Sequence, residues 1–280
     1  MTIIRATLRE AVSRRLLLAV AILSLVFVSV FILGFVFAKG HLAAETDRLE
    51  AAMSATILTV MGLYVASFLA AFLAMFLSTG SVSTEVDSGQ LHAVLARPLP
   101  RWSWLLQRWA GLAIVVLAYT TALGGALLLV ARWAVGYQAV NPAAGLGLMA
   151  LQSLTLLTLG VFTSTRLSTL ANGAVIFFAF GLAWLGGLVE FVGNLLNNQG
   201  MQQIGVVTSL LVPSDALWRG ASAALASPTV LAAVGMAGEG LDEVPFLGTT
   251  LPSAGMLTWS LLYVPVLLAL AVRRFSSRDL

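Results

Sequence analysis

Long apolar stretches alternate with short charged ones along this chain. No Asp, Glu, Lys or Arg occurs from Leu16 to Ala38, Ala51 to Thr84, Trp109 to Ala131, Trp133 to Thr165, Leu167 to Val189 or Val244 to Val272. A helix needs about 20 apolar residues to cross about 30 Å of hydrocarbon, and a charge at its centre costs about 2.5–3.5 kcal/mol on insertion scales. Gaps of this length therefore mark bilayer. Turn residues trim the longer gaps: Gly136 and Asn141-Pro142 cut the fourth, and Pro245 and Pro252 cut the last. The expected spans are Leu16–Ala38, Ala55–Leu77, Ala110–Val130, Ala144–Thr163, Ser168–Val189 and Ala254–Val272. The first is too long for a signal-peptide core, which runs about 7–15 residues, and Phe35-Val36-Phe37-Ala38 is not a small-residue cleavage site. An uncleaved span is expected there.

Composition agrees. Hydrophobic residues make up 59% of the chain and charged residues 10%, against about half and about a quarter in a soluble domain. Six spans put both termini on one side. If that side is cytoplasmic, it holds Arg5, Arg9, Arg14, Arg15, Arg97, Arg101, Arg108, Arg166, Arg273, Arg274 and Arg278, leaving Lys39, Arg48, Arg132 and Arg219 opposite. Loop Lys and Arg concentrate on the cytoplasmic side of membrane proteins, so both termini are expected inside. The chain is expected to be one transmembrane domain over residues 1–280, with special segments at 1–15, 79–108 and 190–253.

In the first segment Ile4, Leu8, Ala11 and Val12 fall near helical spacing while Arg5 and Arg9 lie elsewhere. This predicts an amphipathic helix on the inner interface rather than a basic tail. The third begins with Asn194, Asn197, Asn198, Gln199, Gln202 and Gln203 and turns apolar through Ile204–Val212. That run is too short to span and can dip in and return only where protein shields its backbone. A helix is expected over Asp215–Leu225, ended by Ser227-Pro228, with a loop over Gly235–Glu243.

Several chemistries are missing. The only lysine, Lys39, follows Ala38, so no G-x-x-x-x-G-K-[ST] phosphate loop exists. Cysteine is absent, which removes disulfides and thiolate metal sites. His41 and His92 fall on opposite sides, so no histidine pair can share a metal. The expected spans hold no ionisable residue away from their ends, which disfavours an ion-driven carrier. Glu190 borders span five and reads as a solvated helix end.

The second segment carries the strongest pattern. Thr84-x-x-Asp87 fits a capping box, so a helix can start near Thr84, with Val86, Leu91, Val94 and Leu95 as an apolar face. Pro98 forces Arg97 out of helical geometry and ends it. Glu85 and Asp87 sit in the first turn, where they either cap the helix or serve as a handle for another protein. The segment resembles the signature region of ABC-2-type transporter permeases. There an acidic-x-acidic-x-Gly-x-Leu run precedes Leu-x-x-Pro-x-x-Arg and a Gly-Lys-x-x-Gly span opening. Here they read Glu85-Val86-Asp87-Ser88-Gly89-Gln90-Leu91, then Leu95-Ala96-Arg97-Pro98-Leu99-Pro100-Arg101, then Gln107-Arg108-Trp109-Ala110-Gly111. Gln90 departs from the common Thr, and Gln107-Arg108 from the common Gly-Lys.

The resemblance implies an all-α half-transporter of the ABC-2, type V exporter-like kind, in a bacterial or archaeal cell membrane. It implies that the loop between spans two and three is a coupling helix docking in a separate ATPase, through Glu85, Asp87, Gly89, Leu91, Val94, Leu95, Arg97, Pro98 and Arg101. The N-terminal helix, with Arg5, Leu8, Arg9 and Val12, would help seat that ATPase. ATP and Mg would be held by the ATPase, two copies per complex, and no cofactor by this chain. The permease would pair with a second copy or a paralogue, with lipid around it and no nucleic-acid partner. Spans two and five would line the path. Ala66, Ala70 and Ala74, and Ala179, Ala183 and Gly187, are small residues at intervals of four that suit close helix contact, within one subunit or between two. The expected function is ATP-driven export of an unidentified substrate, with no enzymatic activity in this chain. A self-contained channel or carrier, or a membrane enzyme or assembly factor without transport, is the alternative. A carrier would need charges or broken spans inside the membrane, and an enzyme a reactive constellation.

Overall fold

A computed structural model describes residues 2–13, 15–44, 48–87, 100–237, 248 and 251–276, and among these every regular element is a helix. Eleven helices follow in order: α1 (Thr2–Ser13), α2 (Arg15–Ala44), α3 (Arg48–Ser78), α4 (Ser83–Asp87), α5 (Arg101–Val135), α6 (Pro142–Ser164), α7 (Thr169–Leu195), α8 (Gln199–Leu211), α9 (Ser214–Leu225), α10 (Pro228–Ala237) and α11 (Ala254–Ser276). Six are long and apolar enough to cross a membrane: α2, α3, α5, α6, α7 and α11. They coincide with the six expected spans, and most run further. Span three starts at Arg101 rather than Ala110, and span five continues to Leu195 rather than Val189. A charge marks where hydrocarbon ends, but it does not stop a helix. The stops are local: Gly136 ends α5 in the left-handed conformation, and Asn141 caps α6 by accepting from the Ala144 N–H, with Pro142 behind it.

The six spans alternate in direction. One end of the bundle carries α1, α4 and the turn between α6 and α7, and is called here the loop end. The other carries α8 to α10 and is called the hairpin end. α1 lies against α5 with Thr7 and Ala11 buried, Leu8 half-buried, and Arg5 and Arg9 exposed. It is amphipathic as expected; the Val12 side chain lies outside the described residues. Its close approach depends on Gly111, where a methyl group would sit 2.9 Å from Thr7 Cβ.

At the hairpin end α7 turns back on itself. Asn197 adopts a left-handed φ of 50°, and the Asn198 side chain accepts from the N–H groups of Gly200 and Met201 to start α8. The polar asparagine run is therefore a hairpin turn. α8 has 13 residues, about 20 Å of helix, too short to span. It returns alongside α7, and Pro213 hands the chain to α9, which packs on α6. The free carbonyls at the C-terminal end of α8 find donors on α11: Trp259 Nε1 donates to Leu210 O at 3.0 Å and Tyr263 Oη to Leu211 O at 2.9 Å. Tyr263 lies about 14 Å below the start of α11 by helical rise, so α8 dips into the bundle. Its backbone ends are satisfied by protein, the condition a re-entrant segment must meet. Ser227-Pro228 ends α9 as expected, but Pro228 also opens α10, which runs through Gly235 to Ala237, where a loop was expected. The rest of Gly235–Glu243 lies outside the described residues.

Candidate functional site

The loop end is assembled around Arg108, two turns into span three and 7% exposed. Its guanidinium donates to Glu10 of α1 at 2.6 and 3.2 Å and pairs with Glu85 of α4 at 2.8 Å. One buried cation thus joins the N-terminal helix, the loop helix and a span. α4 is held from its other side by hydroxyls. Ser164 Oγ, on the last residue of span four, accepts from the N–H groups of Val82 and Ser83 at 2.9 and 3.3 Å. Ser83 Oγ meets Thr169 Oγ1 at 3.0 Å. The turn between spans four and five is stiffened in its own right: Asn172 donates to Gly160 O at 3.1 Å and accepts from Thr163. Since α4 also continues from span two, any displacement of it is felt by spans two, three, four and five and by α1.

These contacts revise the expected roles. The helix starts at Ser83, one residue before Thr84, and Ser164 accepts from the N–H groups of Val82 and Ser83 at that start; the Asp87 half of the expected capping box lies outside the described residues. Glu85 pairs with Arg108 of its own chain. Arg101 opens span three. Asp87 closes α4, with its side chain outside the described residues, and Gly89, Leu91, Val94, Leu95, Arg97 and Pro98 lie outside them altogether. Arg108, Glu10, Ser164 and Thr169 were missed as site residues. The only signals were Arg108 at the family's cationic position and Gly111 three residues on.

The hairpin end holds a second arginine between two carboxylates. Arg219 of α9 donates to both oxygens of Glu190 on α7 at 2.7 and 2.8 Å, and its Nε lies 3.0 Å from Asp215 Oδ2. The latter is an ion pair at the edge of hydrogen-bond geometry. Tyr64 of span two adjoins this cluster: its ring lies 5.0 Å from that of Trp218, and its hydroxyl accepts from Trp184 Nε1 at 2.7 Å. Burial is the main cause pushing the Asp215 carboxyl up to about 6; Arg219 pulls it down and Glu190 pushes it further up. Glu190 is thus no solvated helix end. Its side chain is 15% exposed and sits more than a turn before α7 stops. The helices of spans three and five run past Arg108 and Glu190, the charges expected to limit them.

Between the two ends, spans two and five meet through aromatic rings rather than small residues. Phe68 packs edge-on to Phe180 at 5.3 Å, and Phe72 stacks with Phe177 at 6.4 Å. Ala66, Ala70, Ala74 and Ala183 are buried inside the protomer, Ala179 is half-buried, and Gly187 takes the Asp215 side chain. The stripe serves packing within the chain. Among the described residues no group of three His, Cys, Asp or Glu side chains is placed to hold a metal.

Comparison of the sequence with curated proteins gives no match. A family model described as ABC-2 family transporter protein matches residues 1–280. Six spans, an all-helical fold and a match over the whole chain agree, and the chain belongs to the ABC-2 family of transporter proteins.

Proposed function

We propose that this chain is the membrane subunit of an ATP-driven exporter, powered by a separate ATPase that docks on the 79–108 loop, with the loop end and both termini in the cytoplasm. The observation that carries the reading is the Arg108 clasp. A docking loop transmits force only if it is fastened to the spans, and Arg108 with Ser164 fastens α4 on two sides. Family membership supports a transport role, and the sequence has no phosphate loop of its own. Two such chains, each with an ATPase holding ATP and Mg, form the working complex in this reading.

The pairing of Glu85 with Arg108 changes which variants test docking. A change at Glu85 disturbs the clasp, so Gly89→Arg is the cleaner probe of the docking surface. At matched membrane levels, Gly89→Arg is expected to lose the ATPase on co-purification. Glu85→Gln is expected to keep it while uncoupling hydrolysis from transport. Retention of the ATPase and of transport by Gly89→Arg contradicts docking at this loop.

A further inference from the structure

The two carboxylates at the hairpin end are unequally served. Arg219 commits both terminal nitrogens to Glu190, leaving Asp215 with a single off-axis approach from Nε. Asp215 is 8% exposed, and the Nε approach to its Oδ2 falls short of good hydrogen-bond geometry. Two carboxylates against one guanidinium leave a net negative charge where water is scarce. The space is shaped for these groups: a methyl at Gly187 would overlap the Asp215 carboxyl, and one at Gly205 would overlap the Glu190 side chain. Among the described residues nothing else offsets that charge. Helices α3, α6, α7, α8 and α11 pack against α9. α6 and α8 carry no charged residue; the α11 arginines, Arg273 and Arg274, sit at its far end, and those of α3, Arg48 and Glu50, at its start, four turns from Tyr64. The titratable groups facing Asp215 are Glu190, Arg219 and the Tyr64 phenol.

A buried carboxylate with a poorly served oxygen is unfavourable as an anion and acceptable as an acid. We propose that Asp215 is a proton-binding site: a proton taken from water onto its carboxylate fastens α9, and with it the returning arm α8 of the hairpin, against α7, and release of that proton to water loosens them. The packed carboxyl titrates at about 6, against 3.8 for one in water. The closed hairpin therefore binds the proton more tightly than the open one. Acid favours closure; between about pH 4 and 6 closure weakens with rising pH, by up to about tenfold per unit, and above that window the dependence is flat.

The chain has no cysteine, so single cysteines report cleanly. Ser209, 4% exposed near the C-terminal end of α8, becomes the reporter as Ser209→Cys, and exposed Gln199 the control as Gln199→Cys. Each is labelled with a pyridyl disulfide, which reacts in acid, on the full chain in lipid nanodiscs from pH 4.5 to 7.5. The rate ratio of reporter to control is expected to rise roughly tenfold or more up to about pH 6 and then level. Asp215→Asn should hold the ratio low and flat. Glu190→Gln removes the repelling charge and frees Arg219 for Asp215, so it should move the levelling point to lower pH even if the Asn variant fails to fold. A flat ratio in the parent, a rise that persists in Asp215→Asn, or a levelling point that Glu190→Gln leaves in place overturns the proposal.

Discussion

Each end of the bundle is closed by an arginine between two carboxylates, yet the two clasps are built in opposite ways. At the loop end the cation is the buried partner: Arg108 is 7% exposed, while Glu10 is 41% and Glu85 16% exposed. At the hairpin end Asp215 is the most buried member at 8%, Glu190 is 15% exposed, much like Glu85, and Arg219 is 29% exposed. Breaking an ion pair costs most when it strands a charge that cannot reach water. Glu10 can turn outward if Arg108 is lost, whereas Asp215 has no such route if Arg219 is lost. The loop clasp thus reads as a joint that can be released by turning a carboxylate to water, and the hairpin clasp as one whose hold depends on the charge of a carboxylate that stays buried.

The largest effect is expected from Arg219→Ala, which leaves two buried carboxylates without a cation. A loss of about 3–5 kcal/mol is the scale for such a break, seen as a much lower midpoint of thermal unfolding in detergent, or as no folded protein. Next come Gly187→Ala and Gly205→Ala. Their added methyl groups meet Asp215 and Glu190, and overpacking of this kind costs about 1–3 kcal/mol. Gly111→Ala should act at the same scale by lifting α1 off span three, measured as faster proteolysis of the first 13 residues. Arg108→Ala is expected to cost about 1.5–3 kcal/mol or less, the scale of hydrogen bonds to charged groups, and to reach the membrane at near-normal levels. Its main effect should be on coupling, with the bound ATPase hydrolysing independently of transport. If Arg108→Ala instead destabilises the chain as severely as Arg219→Ala, the contrast between the two ends fails. Glu10→Gln should be the mildest, at about 1 kcal/mol or less, because its pair with Arg108 is partly exposed.

The spans were legible in the sequence because bilayer penalises charge, and charge-free gaps are visible without any structure. The clasps were not. Arg108 and Glu10 are 98 positions apart, and Glu190 and Arg219 are 29 apart, so nothing local announces that they meet. One half of the hairpin clasp was available: Asp215 and Arg219 stand four apart on a helix otherwise made of Ala, Ser, Gly, Leu and Trp. Treating Glu190 as the limit of span five concealed the other half. The small-residue stripe was visible, but spacing alone does not say which helix it meets. Ala66, Ala70 and Ala74 face their own core, and aromatic rings fill the gap between spans two and five.

The central claim is that the energy comes from another chain acting through the loop end. It is tested most directly by measuring ATP hydrolysis with the purified chain alone, with its ATPase alone, and with both, in the parent and in Gly89→Arg. The account predicts no hydrolysis by the isolated chain, a rate for the pair that differs from that of the ATPase alone, and loss of that difference in Gly89→Arg. Hydrolysis by the isolated chain, or an undiminished response in Gly89→Arg, would contradict it.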